Sequence, residues 1–131
     1  LTDSKANFSY QKNKWSLKQV FGHIVDTERI FSYRLLCFSR NEEQMLPGFD
    51  ENEYQVNSGY DQQDTTSILK QYNSTRKATI DLLNSLSPKQ WNQMGNANGH
   101  TISVRSLAWM IAGHEKHHIQ VIKERYLIQN P

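Results

Sequence analysis

The chain of 131 residues has a single cysteine, Cys37, so an intrachain disulfide is excluded. One lone thiol fits a reduced, cytoplasmic setting. No apolar run approaches the roughly 18 residues that a membrane-spanning helix needs, and no secretory signal pattern opens the chain. Basic residues form no run resembling a phosphate-tracking stripe, and no glycine-rich phosphate cradle follows a strand. Between Asn41 and Leu69 there are seven acidic residues (Glu42, Glu43, Asp50, Glu51, Glu53, Asp61 and Asp64) and no Lys or Arg, which reads as a solvated loop. Nucleic acid and membrane are therefore not expected as partners. The formal net charge of +2 adds little.

What is present is a folding composition. Hydrophobic residues make up 37% and aromatics 11%, with Trp15, Trp91 and Trp109 among them. That is enough apolar surface for one core and too little chain for two, so residues 1–131 are expected to form a single domain.

Three long helical patterns dominate, over about 16–39, 65–86 and 103–126. In the first, Ser16 and Gln19 have capping-box spacing, and Leu17, Val20, Phe21, Ile24, Phe31, Leu35 and Phe38 recur on one face. In the second, Ile68, Leu69, Tyr72, Ile80, Leu83 and Leu86 supply the stripe. Ser87-Pro88-Lys89-Gln90 then caps a short turn or two, with proline at the first helical position. In the third, Ser103 caps and Val104, Leu107, Ala108, Ile111, Val121 and Ile122 face inward. Gly113 lies mid-helix, where glycine costs about 1 kcal/mol against alanine, and a close helix–helix approach would explain it. Asn96–His100 reads as a polar loop, and strand signals are weak throughout. A connection of roughly 25 residues after the first long helix has no convincing helical pattern, and its length suggests a lid or binding rim. Residues Leu1 to Lys14 look like the tail of a helix, anchored by Phe8 and Tyr10. The pattern is that of an all-α helical bundle.

His114 and His118 are the most informative pair. Side chains at i and i+4 stack on one helix face, and this pair continues the line of Leu107 and Ile111 into the bundle. Buried imidazoles need hydrogen-bond partners or a metal. The pair alone also fits ordinary, hydrogen-bonded helix histidines. His23, on the edge of the apolar face of the first long helix, is a candidate third. Three imidazoles with one open position suit zinc, and nickel, cobalt or iron would also accept them. His117 is expected at the surface or behind the site, His100 in solvent, and Cys37 as a small buried hydrophobe.

The assembled string resembles a known family. Trp15-Ser16-Leu17-Lys18-Gln19-Val20-Phe21-Gly22-His23-Ile24 is similar to the W-S-x-x-x-V-x-x-H-(I/L) opening of the DinB-like superfamily. Ser103-Val104-Arg105-Ser106-Leu107-Ala108-Trp109 and Gly113-His114-Glu115-Lys116-His117-His118 resemble that superfamily's last helix. Leu46-Pro47-Gly48-Phe49-Asp50 and Ala97-Asn98-Gly99 resemble its branch of metal-dependent hydrolases and bacillithiol-transferase-like proteins. The resemblance implies a four-helix bundle with one long crossover and His23, His114 and His118 as ligands of a divalent metal ion, zinc or nickel. The family's first helix precedes the Trp-Ser segment, so most of it is expected to be missing from this chain.

With such a metal the chain would be an enzyme of hydrolase or low-molecular-weight thiol S-transferase type, acting on a small-molecule substrate that includes, in the second case, a thiol. The alternatives are a non-catalytic metal-binding or stress-related bundle, and a purely structural one. Asp26, three residues after His23, and Glu115, beside His114, are the candidate catalytic acids. Glu115 and Glu28 also suit helix-surface or interhelical pairing, and Arg29 and Arg105 suit either an anionic substrate or salt bridges. A homodimer is compatible with the resemblance and with the aromatic content.

Overall fold

The computed structural model describes residues 2–10, 12 and 14–127. Leu1, Gln11 and Asn13, within the stretch expected as the tail of a helix, lie outside the described residues. One helical turn, α1 (Asp3–Ala6), comes first. The Phe8 carbonyl then accepts the Leu17 amide at 3.0 Å, and the rings of Phe8 and Tyr10 meet Tyr126 edge-on, so the expected anchors do pack.

The long helix α2 (Leu17–Ser39) begins as its capping box requires: Ser16 Oγ accepts the Gln19 amide and Gln19 Oε1 accepts the Ser16 amide. The connection that follows contains a six-residue helix, α3 (Glu51–Val56), and a 3₁₀ turn (Tyr60–Gln62). Asp50 makes α3 possible by accepting the Asn52 and Glu53 amides. The second long helix, α4 (Thr65–Asn84), is capped by Asp64, and α5 (Pro88–Trp91) by the Ser87–Gln90 capping box.

Asn96–His100 is not simply a loop. Strands β1 (Met94–Ala97) and β2 (His100–Ser103) form an antiparallel hairpin in which Ala97 pairs with His100. Its turn is Asn98-Gly99, both with positive φ (54° and 80°), the conformation that two-residue hairpins demand. Leu46 of the crossover adds a parallel bridge to Ala97. The last helix, α6 (Val104–Val121), is capped by Ser103 and continues as a wider helical turn over Ile122–Leu127.

Packing partners give the helix directions. Along α2, Arg29 reaches Gln71 and Ser32 reaches Thr79, so α2 and α4 run parallel. His23 meets His118 and Phe31 meets His114, so α2 and α6 run antiparallel. Parallel neighbours cannot be joined by a tight turn, which is why the crossover is long. Gln55 Nε2 bonds the Gln19 carbonyl and Tyr60 packs flat on Gly22, where a Cβ would stand 2.2 Å from the ring.

Several expectations need correction. Leu69 and Ile80 are exposed: the inward line of α4 runs instead through Ile68, Tyr72, Arg76, Thr79 and Leu83. Gly113 has open space where its Cβ would be, so close helix packing does not explain it. Trp109 is 74% exposed. Cys37 is half-buried against the apolar cluster of Leu35 and Phe38, close to its expected role.

The core is in two parts. Leu17, Val20, Ile24, Ile122 and Tyr126 fill one end of the α2–α6 interface, while Leu35, Phe38, Ala97, Val104 and Leu107 fill the other. Between them α2 presents a buried polar stretch of His23, Thr27 and Glu28. Among the described residues no helix is long and apolar enough to cross a membrane.

Candidate metal centre

The polar layer owes its position to helix periodicity. His23 and Thr27 are one turn apart on α2, as are His114 and His118 on α6, and antiparallel packing sets the two faces opposite each other. His114 Nε2 lies 2.9 Å from His23 Nε2 and 3.0 Å from His118 Nε2. The ligand atoms of all three residues fall within 4.8 Å of one another. His23 is only 3% exposed, whereas His114 and His118 are half-buried. Thr27 Oγ1 stands 3.4 Å from His23 Nδ1, where it can receive the imidazole proton and leave Nε2 as a lone pair. Trp15 covers the other side of the His23 ring, with centroids 5.0 Å apart.

Hydrogen bonding alone does not satisfy this arrangement. Burial, reinforced by His114 and His118, pushes the His23 imidazole down to about 3, and burial with His114 and His117 pushes His118 down to about 4. Burial also lowers His114. All three rings are therefore neutral near pH 7, each with one N–H. His114 Nε2 is either one donor or one acceptor, and so can make only one good bond with its two neighbours. The remaining nitrogen pair is left with at best a share of a hydrogen bond aimed elsewhere. A divalent cation accepting three lone pairs removes the conflict, so the donor set fits a metal, and a tris-histidine site capable of holding one is present.

The two candidate acids are elsewhere engaged. Asp26 Oδ1 accepts the Tyr60 hydroxyl at 2.7 Å and lies 3.8 Å from Arg29. Glu115 accepts the Tyr72 hydroxyl, and its other oxygen lies 2.6 Å from Arg76 Nη2. Arg76 also forms a fork with both oxygens of Glu28, each at 2.9 Å. Glu28, Arg76 and Glu115 thus clasp α2, α4 and α6 together, the interhelical alternative for both glutamates. The structure brings the three histidines together, and sends Glu115 to α4 and Asp26 to the crossover. Arg29 bonds Gln71 in addition to Asp26, while Arg105 stacks on Trp91.

Sequence reasoning missed Glu51. At the start of α3, its Oε2 lies 3.4 Å from His23 Nε2. Nothing local distinguishes it from the other acids of the crossover; only the crossover's fold onto α2 brings it in. Glu51 and His118 also line a cavity of about 340 Å³, together with Lys14, Trp15, His117 and Val121. His117 is exposed on that rim, and His100 is exposed in β2, both as expected.

Comparison with known proteins places the chain. The profile of the DinB superfamily matches residues 1–122, and the chain belongs to that superfamily. A protein of Oceanobacillus iheyensis, provisionally named a metal-dependent hydrolase, is 28% identical over 125 residues, covering 94% of this chain and 71% of that one. Among solved structures, YfiT from Bacillus subtilis superposes with a TM-score of 0.76 at 18% identity, over 95% of this chain and 74% of its own. That protein is described as a probable metal-dependent hydrolase with an unusual four-helix bundle topology. The likeness supports the fold, a bundle with one long crossover.

Proposed function

We propose that this DinB-superfamily chain holds one divalent cation, zinc or nickel, on His23, His114 and His118 and acts as a metal-dependent hydrolase on a small molecule. The observation that carries the reading is the convergence of three neutral imidazole nitrogens at the edge of a cavity that opens at His118. A divalent ion with three imidazole ligands and an open position supplies Lewis acidity, lowering the pKa of a water or thiol and polarising a carbonyl.

The chain's own residues do the rest. Thr27 and Trp15 fix the His23 ring. Glu115 and Asp26 take positioning parts: Glu115 ties α6 to α4 next to His114, and Asp26 holds Tyr60, and with it the crossover, against α2. The cavity of about 340 Å³ matches the lower range of small-molecule sites, and its lining mixes polar Lys14 and His117 with apolar Trp15, Val20 and Val121. The second reading, S-transfer from a low-molecular-weight thiol, uses the same ion and the same cavity, with a thiol in place of water.

Elemental analysis of untagged protein, beside His114→Ala, tests the proposal. One divalent ion per chain, lost in the variant, is the expected result. Hydrolysis assays with and without added thiol then separate the two chemistries. No metal after supplementation would refute the reading and leave a bundle of hydrogen-bonded histidines.

A further inference from the structure

The crossover contributes a ligand of its own. We infer that Glu51 is a fourth protein ligand to the cation held by His23, His114 and His118, an inference that rests on the metal reading above. Two nitrogen or oxygen donors bound to one ion at about 2.1 Å stand about 3.0 Å apart at a right angle and about 3.4 Å apart at the tetrahedral angle, and the histidine nitrogens, 2.9 and 3.0 Å apart, lie near the first value. The distance from Glu51 Oε2 to His23 Nε2 is 3.4 Å. The contact is to Nε2, the nitrogen that faces the other imidazoles, and not to Nδ1, which faces Thr27. A carboxylate that merely accepted a proton from His23 would need that proton on Nε2, where His114 Nε2 already lies at 2.9 Å. An ion between them removes this competition.

The segment bearing Glu51 is held in place. Asp50 caps α3 through two amides, Gln55 donates to the Gln19 carbonyl, and Tyr60 is pinned by Asp26 and by its fit against Gly22. These contacts hold the first residue of α3 beside His23, although its carboxylate stands outside the tight group formed by the three histidine nitrogens. The Glu51 side chain nevertheless remains 57% exposed, on the cavity wall. It can therefore bind the ion from the solvent side while the histidines bind it from within the bundle. An anionic ligand lowers the net charge of the centre, and with Glu51 in the fourth position a water or substrate would enter as a fifth ligand.

The test uses cobalt(II) as the probe on metal-stripped full chain, following both affinity and the visible ligand-field spectrum. Glu51→Gln is compared with wild type and with Glu53→Gln, an exposed acid of the same helix. The expected result is binding at least about tenfold weaker in Glu51→Gln, with a changed spectrum, and neither change in Glu53→Gln. Equal affinity and spectrum in Glu51→Gln would overturn the inference while leaving the tris-histidine reading intact. Weaker binding with an unchanged spectrum would also overturn it, since Glu51 would then act only as a nearby charge. Failure of wild type to bind cobalt would instead refute the underlying metal reading.

Discussion

Replacing Arg76 by methionine should be among the most damaging changes outside the apolar clusters. Glu28 is 3% exposed, and both its oxygens are bonded by the Arg76 fork at 2.9 Å. Methionine fills part of the arginine's volume but leaves a buried carboxylate with no cation. Breaking a buried pair by removing one partner costs about 3–5 kcal/mol. The Arg76 side chain is 29% exposed, so some water can reach the gap, and about 3 kcal/mol is the better expectation. With a urea m-value of about 2 kcal/mol/M, that loss lowers the unfolding midpoint by about 1.5 M at unchanged slope.

The double variant Arg76→Met/Glu28→Met decides the cause. If the cost lies mainly in the orphaned Glu28 charge, removing that charge should restore much of the loss, the share owed to the half-buried Glu115 remaining. Urea unfolding followed by circular dichroism on the metal-free chain measures all the corners of this cycle. A single-variant loss below about 1 kcal/mol, or a double variant no better than the single, would refute the clasp as the joint of the three helices.

Two further outcomes follow from the same geometry. In metal-free protein His23 is held down to about 3 against an ordinary 6.5, so the unfolded chain takes up its proton first and stability falls as pH drops below about 6.5. At pH 5 this one group should cost about 2 kcal/mol, and His23→Asn should flatten urea midpoints between pH 7 and pH 5 by that amount; an unaltered pH dependence would count against burial as the cause. Gly22→Ala should destabilise by about 1–3 kcal/mol, because the new methyl carbon would lie 2.2 Å from the Tyr60 ring, and Tyr60→Ala in the same chain should remove most of that penalty.

What could be read in the sequence was what is local. Ser16 with Gln19, and Ser87 with Gln90, needed only three-residue spacing, and both capping boxes form. The pairing of His114 with His118 needed only helix periodicity. The third member, His23, is 91 residues from His114, and spacing alone made it just a candidate; the family resemblance singled it out. The hairpin had a local signal in Asn98-Gly99, but its flanks, Met94–Ala97 and His100–Ser103, lack the β-branched alternation that announces strands. Asp50 capping α3 was equally local, yet six residues are too few to show a periodic face. Glu28 with Arg76, and His23 with Glu51, are tertiary facts, since no pattern within one helix says which charged residue will be enclosed.

The two apolar clusters explain why such facts gather in one layer. Leu17, Val20 and Ile24 at one end of α2, and Leu35 and Phe38 at the other, seal the α2–α6 interface from both sides. The stretch between them carries His23, Thr27 and Glu28, buried positions that a purely structural bundle would fill with leucine or isoleucine. Thr27 is met by His23 on the same helix, but the other two need partners from elsewhere: His114 and His118 from α6 for His23, and Arg76 from α4 for Glu28, with Glu115 and Tyr72 completing the set. An interior polar layer is tolerable only when every member is satisfied. Within this one, the carboxylates and the guanidinium are paired, while His114 Nε2 faces two imidazole nitrogens and can bond only one of them well. The apolar ends hold the bundle together, the charge clasp fixes the relation of α6 to α2, and the three imidazoles between them form a set able to hold a divalent cation.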